Sequence, residues 1–263
     1  MDDVATAEPI ERRPPPPVQR DPVGTFMRAL GELMVTAGAV LLLFVVYELY
    51  VTDLLSDRAQ DDLTHELRDE WEAAPPVPAA PPAPIGDVPV GQAFAFLHIP
   101  RLGDDYARAI VEGTSQDELA QGPGHYVDTA MPGEAGNFAV AGHRVGKGSP
   151  FLDLDQLQPG DAIVVETADA WYEYRVLGDQ QTGDLSVAVD GVPGRQIVDP
   201  SAVDVIAPVP GQPGAAAAGS YLTLTTCHPK FSAAQRMIVH AVLTGPPVAR
   251  SEAPEGPAAL QGG

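Results

Sequence analysis

An apolar run over residues 33–51, interrupted only by Thr36 and Glu48, limits what this chain can become. About 20 helical residues cross the hydrocarbon core of a bilayer, and inside it a segment must pair its own backbone polar groups. The run therefore predicts a membrane-spanning helix, taken over 25–52 once Phe26, Arg28 and Glu32 are counted toward the headgroup region. Tyr47 and Tyr50 sit where an interfacial aromatic belt falls. Arg12, Arg13, Arg20 and Arg28 flank its N-terminal side, whereas Asp53, Asp57, Asp61 and Asp62 follow it. The bias of basic residues toward the cytoplasm predicts an N-terminus inside and the rest of the chain outside. No small-residue cleavage site promptly follows the run, so it reads as an uncleaved, single-pass anchor in the cell membrane.

The anchor divides the remainder. Residues 1–24, polar and carrying Pro14 to Pro17, read as a disordered cytoplasmic tail. Within 53–74, Leu55, Ala59, Leu63, Leu67 and Trp71 recur every four residues in a charged background, which predicts a solvated stalk helix. The stretch PPVPAAPPAPIGDVP then makes a stiff, extended linker, so that stalk and linker together occupy 53–89. Residues 90–245 have ordinary globular composition and form the folded domain; the Pro-rich 246–263 read as a disordered tail. The formal net charge of −21 argues against a nucleic-acid partner, which needs a basic face.

Within the domain the signal is β. Strands are expected at 94–99, 106–111, 137–143, 162–166, 171–177, 203–207, 221–227 and 236–244, separated by turn pairs such as Pro132-Gly133, Pro193-Gly194 and Pro213-Gly214. One short helix is expected near 115–121, with Ser115 or Thr114 as its N-cap and Glu118 closing a capping box. About eight short strands at this spacing predict an all-β barrel or sandwich.

The chain has one cysteine, Cys227, and hence no intramolecular disulfide; a free thiol outside the membrane is a candidate reactive group. Side chains alternate across a strand. Leu222 and Leu224 share one face of their strand, and Cys227 falls on the other with Thr223 and Thr225. On the next run Met237, Val239, Ala241 and Leu243 make one face, and Arg236, Ile238 and His240 the other. Along 137–143, Phe138 and Val140 mark the core face, leaving Ala139, Ala141 and His143 opposite, where small side chains leave room for a ligand. His143, Cys227 and Arg236 can thus meet in one groove. A thiolate is a nucleophile, an imidazole exchanges its proton and later protonates a leaving amine, and a guanidinium holds a carbonyl or an oxyanion. At ordinary pKa values the thiolate–imidazolium pair amounts to on the order of 1% of molecules at pH 7. His228, beside the cysteine, points to the opposite face if its strand continues, and His125 and His240 read as loop or groove-lining groups. Cys227 and His228 lack the second ligand pair that zinc spacing requires. No metal and no cofactor is assigned, and Asp179, Asp184 and Asp190 are loop charges that leave calcium undecided.

The blocks TLTTCHPKFSAAQRMIVHA, with an arginine nine residues after the cysteine, and GHYVDTAMPGEAGNFAVAGHR resemble the sortase family, most closely the class E sortases of high-GC Gram-positive bacteria. The resemblance covers roughly residues 94–243 and implies an eight-stranded sortase-type β-barrel with short helices. It also implies a cysteine transpeptidase outside the membrane. Cys227 would attack the Thr–Gly bond of an LPxTG- or LAxTG-like C-terminal sorting signal on a secreted protein. A peptidoglycan-precursor amine or a pilin lysine would resolve the thioester. His143 would act as acid and base, Arg236 would orient substrate and stabilise the oxyanion, and Thr226 would contact substrate. Two rival readings are another extracytoplasmic cysteine peptidase or L,D-transpeptidase, and a membrane-tethered binding barrel with an incidental thiol. The L,D-transpeptidase pattern wants a histidine-glycine pair before the cysteine, where this chain has Thr225-Thr226.

Overall fold

A computed structural model describes residues 22–47, 52–73 and 84–261. The chain falls into two compact units, 1–46 and 47–263. In the first, helix α1 (Pro22–Val46) has every residue exposed and none buried. Its 25 residues extend about 37 Å at 1.5 Å each, enough for a bilayer core. The helix begins earlier than the expected 25–52, and at its far end residues 48–51 lie outside the described part.

The second unit is built on β1 (Ala93–His98), β2 (Ala107–Glu112), β3 (Gly124–His125), β4 (Gly136–Ala141), β5 (Ala162–Glu166), β6 (Ala170–Val176), β7 (Ala188–Val189), β8 (Val192–Pro193), β9 (Arg195–Val198), β10 (Ser220–His228), β11 (Gln235–Leu243) and β12 (Val248–Ala249). The pairing order β6-β5-β1-β2-β3-β4-β10-β11 returns to β6, closing a barrel of eight strands. β9 extends it beside β11 and β12 beside β6, while β7 and β8 form a separate hairpin. Closure removes the open edges that would otherwise template association. Phe138, Val140, Leu222, Leu224, Met237 and Val239 fill the interior, so the alternation on β4, β10 and β11 resolves as expected. Ser115 caps the short helix α3 (Gln116–Leu119) in a capping box with Glu118, also as expected.

Three expectations are corrected. Residues Val203–Ile206 form a 3₁₀ helix, not a strand. The Asn137 amide donates to the carbonyls of Val205 (3.3 Å) and Ala207 (3.0 Å), so a side chain occupies what a neighbouring strand would supply. Pro208 and Pro210, which have no N–H to donate, follow at once. The tail is ordered over 246–261: β12 pairs with Trp171 and Ala170, and the Trp171 indole donates to the Ala253 carbonyl at 2.9 Å.

The third correction is helix α2 (Thr52–Ala73), which is no solvated stalk. Leu67 is buried, and with Leu63 and Trp71 it packs on Ala93, Phe96, Ala109 and Val111 of β1 and β2. β3 is only two residues long, so Ala109, which faces Phe96 of β1 on one side, has no strand partner on the other. The Gln60 amide takes that place, accepting from Ala109 N–H (2.9 Å) and donating to its carbonyl (3.1 Å). At the far end Arg68 forms a two-pronged ion pair with the buried Glu166, which also bonds His98 Nε2 at 2.9 Å. The four-residue spacing in the sequence traced the apolar part of this face, but Leu55 is exposed and the polar Ser56 and Gln60 complete the contact. Of the proposed linker, residues 74–83 lie outside the described part, while Ile85 and Val88 pack against the barrel core.

Candidate active site

β4 and β10 run parallel, with Ser220 through Thr225 in register with Gly136 through Ala141. Two residues past the last pair, Thr225 and Ala141, come Cys227 and His143. The ladder carries on between them: Gly142 N–H donates to the Thr225 carbonyl (3.0 Å), and the Thr226 hydroxyl donates to the Gly142 carbonyl (2.8 Å). Only glycine fits at 142, because a Cβ there would lie 2.5 Å from the Phe151 ring. Across the other side of β10, the antiparallel register sets Cys227 opposite Arg236. Strands separated by about 80 residues of sequence thus bring the three predicted residues to one end of the barrel.

Cys227 and His143 both line an open pocket of about 250 Å³, with Arg144, Val145, Phe231, Ser232 and Ala233. Cys227 is half-buried, consistent with its place on the face opposite the core leucines. The His143 Nε2 is buried and has no hydrogen-bond partner. Burial, and secondarily the positive charge of Lys147, hold the His143 pKa below its ordinary 6.5. The neutral ring is therefore favoured, which suits it to accept a proton. Arg236 is half-buried, and its guanidinium donates to the carbonyls of Ala233 and Gln235, each at 3.0 Å. It braces the loop that forms one wall of the pocket.

Thr226 is buried on the core side, its hydroxyl committed to Gly142. Three other histidines are engaged with partners of their own. His228 accepts at Nδ1 from the Arg144 guanidinium at 2.9 Å, since a guanidinium can only donate. His240 is buried among Thr223 and Gln196, and burial pushes its pKa down to about 3. His125 bonds Glu112 (2.6 Å) and Thr129 (2.8 Å) and stacks on Phe138. The room expected over Ala139 is filled, for that residue is fully buried, and further along the Tyr126 hydroxyl reaches Thr225 at 3.0 Å.

Arg144 is the residue the sequence reading passed over. It is 3% exposed, follows His143 directly, and its guanidinium joins His228 of β10 to Asp155 (3.1 Å). An arginine beside a histidine carried no signal of burial, because arginine is seldom buried unless paired. Phe231 and Val145 also escaped notice, lying in loops without strand periodicity. The carboxylates of Asp179 and Asp184 accept hydrogen bonds from their own loop, and among the described residues no group of three or more His, Cys, Asp or Glu is placed to hold a metal ion.

Residues 97–244 match the family model for the sortase domain. The chain is 39% identical over 219 residues to sortase SrtE1 of Streptomyces coelicolor, covering 81% of this chain and 55% of that protein. It is 35% identical over 217 residues to sortase SrtE2 of the same organism, covering 80% of this chain and 79% of that protein. The chain thus spans about half the length of the first relative and most of the second. Among solved structures, SrtF sortase from Corynebacterium diphtheriae superposes with a TM-score of 0.62 at 43% identity, covering 71% of this chain and all of that one. Sortase E1 from S. coelicolor with a tripeptide in the active site superposes with a TM-score of 0.54 at 38% identity, covering 66% and 99%.

Proposed function

The chain belongs to the sortase family of cysteine transpeptidases, with class E relatives, and on that premise we propose that it joins secreted proteins to an amine at the outer face of the cell membrane. The observation that carries the proposal is the β4–β10 register, which brings His143 alongside Cys227 while β11 sets Arg236 opposite.

In this reading the Cys227 thiol gives its proton to His143, and Sγ attacks the threonine carbonyl of an LPxTG- or LAxTG-like sorting signal. The C–N bond to glycine breaks, His143 protonates the departing amine, and a thioester remains. An incoming primary amine then attacks the thioester carbonyl, its proton passes to His143, and the Cys227 thiolate leaves. Arg236, whose Nη1 donates to the Ala233 and Gln235 carbonyls, offers its remaining N–H groups to the substrate carbonyl as negative charge develops there. Thr226 acts by position: its bond to Gly142 holds the two strand ends together, in place of the substrate contact that the resemblance implied. The acceptor is an amine of a peptidoglycan precursor or a pilin lysine. Helix α1 anchors the protein, with the N-terminus cytoplasmic and the barrel outside.

Full-length protein in detergent, given LPxTG- and LAxTG-containing peptides and a primary amine, will yield the peptide truncated after threonine and joined to the amine, as read by mass spectrometry. Cleavage at any other bond, or no cleavage of either peptide, refutes the assignment.

The depressed His143 pKa sets a pH dependence. The ring stays neutral until the pH falls below the ordinary value of 6.5, so the acidic limb of kcat/KM will lie below 6.5. Lys147→Ala removes one of the two causes and will move that limb upward, part of the way toward 6.5, since burial remains. A limb that moves downward in K147A contradicts this electrostatic account.

A further inference from the structure

Phe231 is 82% exposed and has φ +65, in the left-handed region that bulky residues avoid. Such strain persists only where the surroundings over-determine it, and it clusters at functional sites. The surroundings here are specific. Phe231 sits in the connection between β10 and β11, where Ser232 N–H bonds the Pro229 carbonyl (3.0 Å) and Lys230 pairs with Asp153 (3.1 Å). Arg236 holds the Ala233 carbonyl on the other side. The loop is pinned on both flanks of an aromatic ring that packs into no core cluster and lines the pocket of Cys227 and His143.

Two directions lead away from Cys227. Back along β10, the same face presents Thr225, whose hydroxyl lies 3.0 Å from the Tyr126 hydroxyl. Forward lies the pocket formed by Phe231, Ser232 and Ala233 with His143 to Val145. A group that protonates the departing amine and deprotonates the incoming one must stand on the nitrogen side of the reacting carbonyl. Because His143 belongs to the forward pocket, the nitrogen partner occupies that pocket and the acyl chain runs the other way.

We propose that Phe231 is a specificity-determining residue for the second half-reaction, its ring forming the wall against which the chain bearing the acceptor amine rests. The inference builds on the assignment of Cys227 and His143 given above. The occupant is a primary amine carried on a peptide-like chain. Its amide planes lie against the ring while its nitrogen attacks the thioester carbon, its proton passing to His143 and the C–S bond breaking.

The test separates the half-reactions in the full-length protein. The donor is an LAxTG-type peptide ending at its glycine amide, a leaving group too short to reach the ring, and the acceptors are triglycine amide and hydroxylamine, the latter likewise too small. In Phe231→Ala, kcat/KM for the donor and the thioester seen by intact mass will stay within about twofold of wild type, as an exposed side chain allows. Aminolysis by triglycine amide relative to hydrolysis will fall about tenfold, the scale of one lost aromatic contact. Aminolysis by hydroxylamine will change less than about twofold, and Phe231→Tyr will restore triglycine transfer. A loss confined to donor kcat/KM, an equal loss toward both nucleophiles, or no change overturns the proposal. A wild-type protein that forms no thioester overturns the underlying assignment as well, and that failure is visible before any variant is compared.

Discussion

Cys227→Ala should abolish transpeptidation and leave the barrel folded. Cys227 is the only thiol in the chain, so no neighbour can supply the sulfur that the proposed thioester needs. Loss of a nucleophile in a cooperating set removes at least about 10⁴-fold of kcat. The stability cost is small, because Cys227 is half-buried on the groove face while Leu222 and Leu224 fill the core on the other. The midpoint of unfolding should shift by no more than about 1 kcal/mol equivalent. The measurement is turnover of a fluorogenic sorting-signal peptide beside a denaturation curve. Turnover near the wild-type rate would remove Cys227 from the mechanism. His143→Ala in the same background should add little further loss, since the proposed mechanism uses the two residues as one unit.

Glu166→Ala has the largest expected effect on stability. Glu166 is 1% exposed and joins three parts of the chain: Arg68 of α2 through both guanidinium arms, His98 of β1, and Arg250 of the C-terminal segment at 3.5 Å. Arg68 also lies over the rings of Phe96 and Trp71, and Arg250 over Trp71. Burial by itself would raise the carboxyl pKa, but hydrogen bonds and charge from His98 and Arg68 outweigh it and hold the group below its ordinary range. A carboxylate with a depressed folded pKa contributes stability that is full above the ordinary 4.5 and fades as pH falls through the folded value. Removing one partner of a buried pair costs about 3–5 kcal/mol, and the partial exposure of Arg68 and Arg250 favours the lower end, about 3 kcal/mol. Hydrogen exchange should quicken across α2 and across residues 248–261, while β10 stays protected. A loss below about 1 kcal/mol with α2 still protected would show that Gln60, Leu67 and Trp71 alone hold the helix down.

The β10 and β11 residues show how far local reasoning reaches. Alternation separated Leu222 and Leu224 from Cys227, and Met237 and Val239 from Arg236, because a two-residue period is a property of the strand itself. The same reasoning failed for Val203–Ile206, where the deciding bonds come from Asn137, remote in sequence. It failed for α2, because Gln60 docks only where the shortness of β3 leaves the outer side of Ala109 without a strand. It failed again for the tail, whose order depends on Trp171 and Glu166. Each miss is a polar or ionic contact between segments whose individual composition suggests exposure.

By itself, then, the sequence determined a membrane-length apolar helix, a β-rich domain, and the faces on which His143, Cys227 and Arg236 lie, all consequences of chain periodicity and hydropathy. The tertiary structure alone decided that β4 lies parallel beside β10. Parallel neighbours need a long crossover, and no local pattern specifies which strands it joins. That adjacency brings His143 and Cys227 to one pocket, which Phe231 of the pinned loop after β10 also lines.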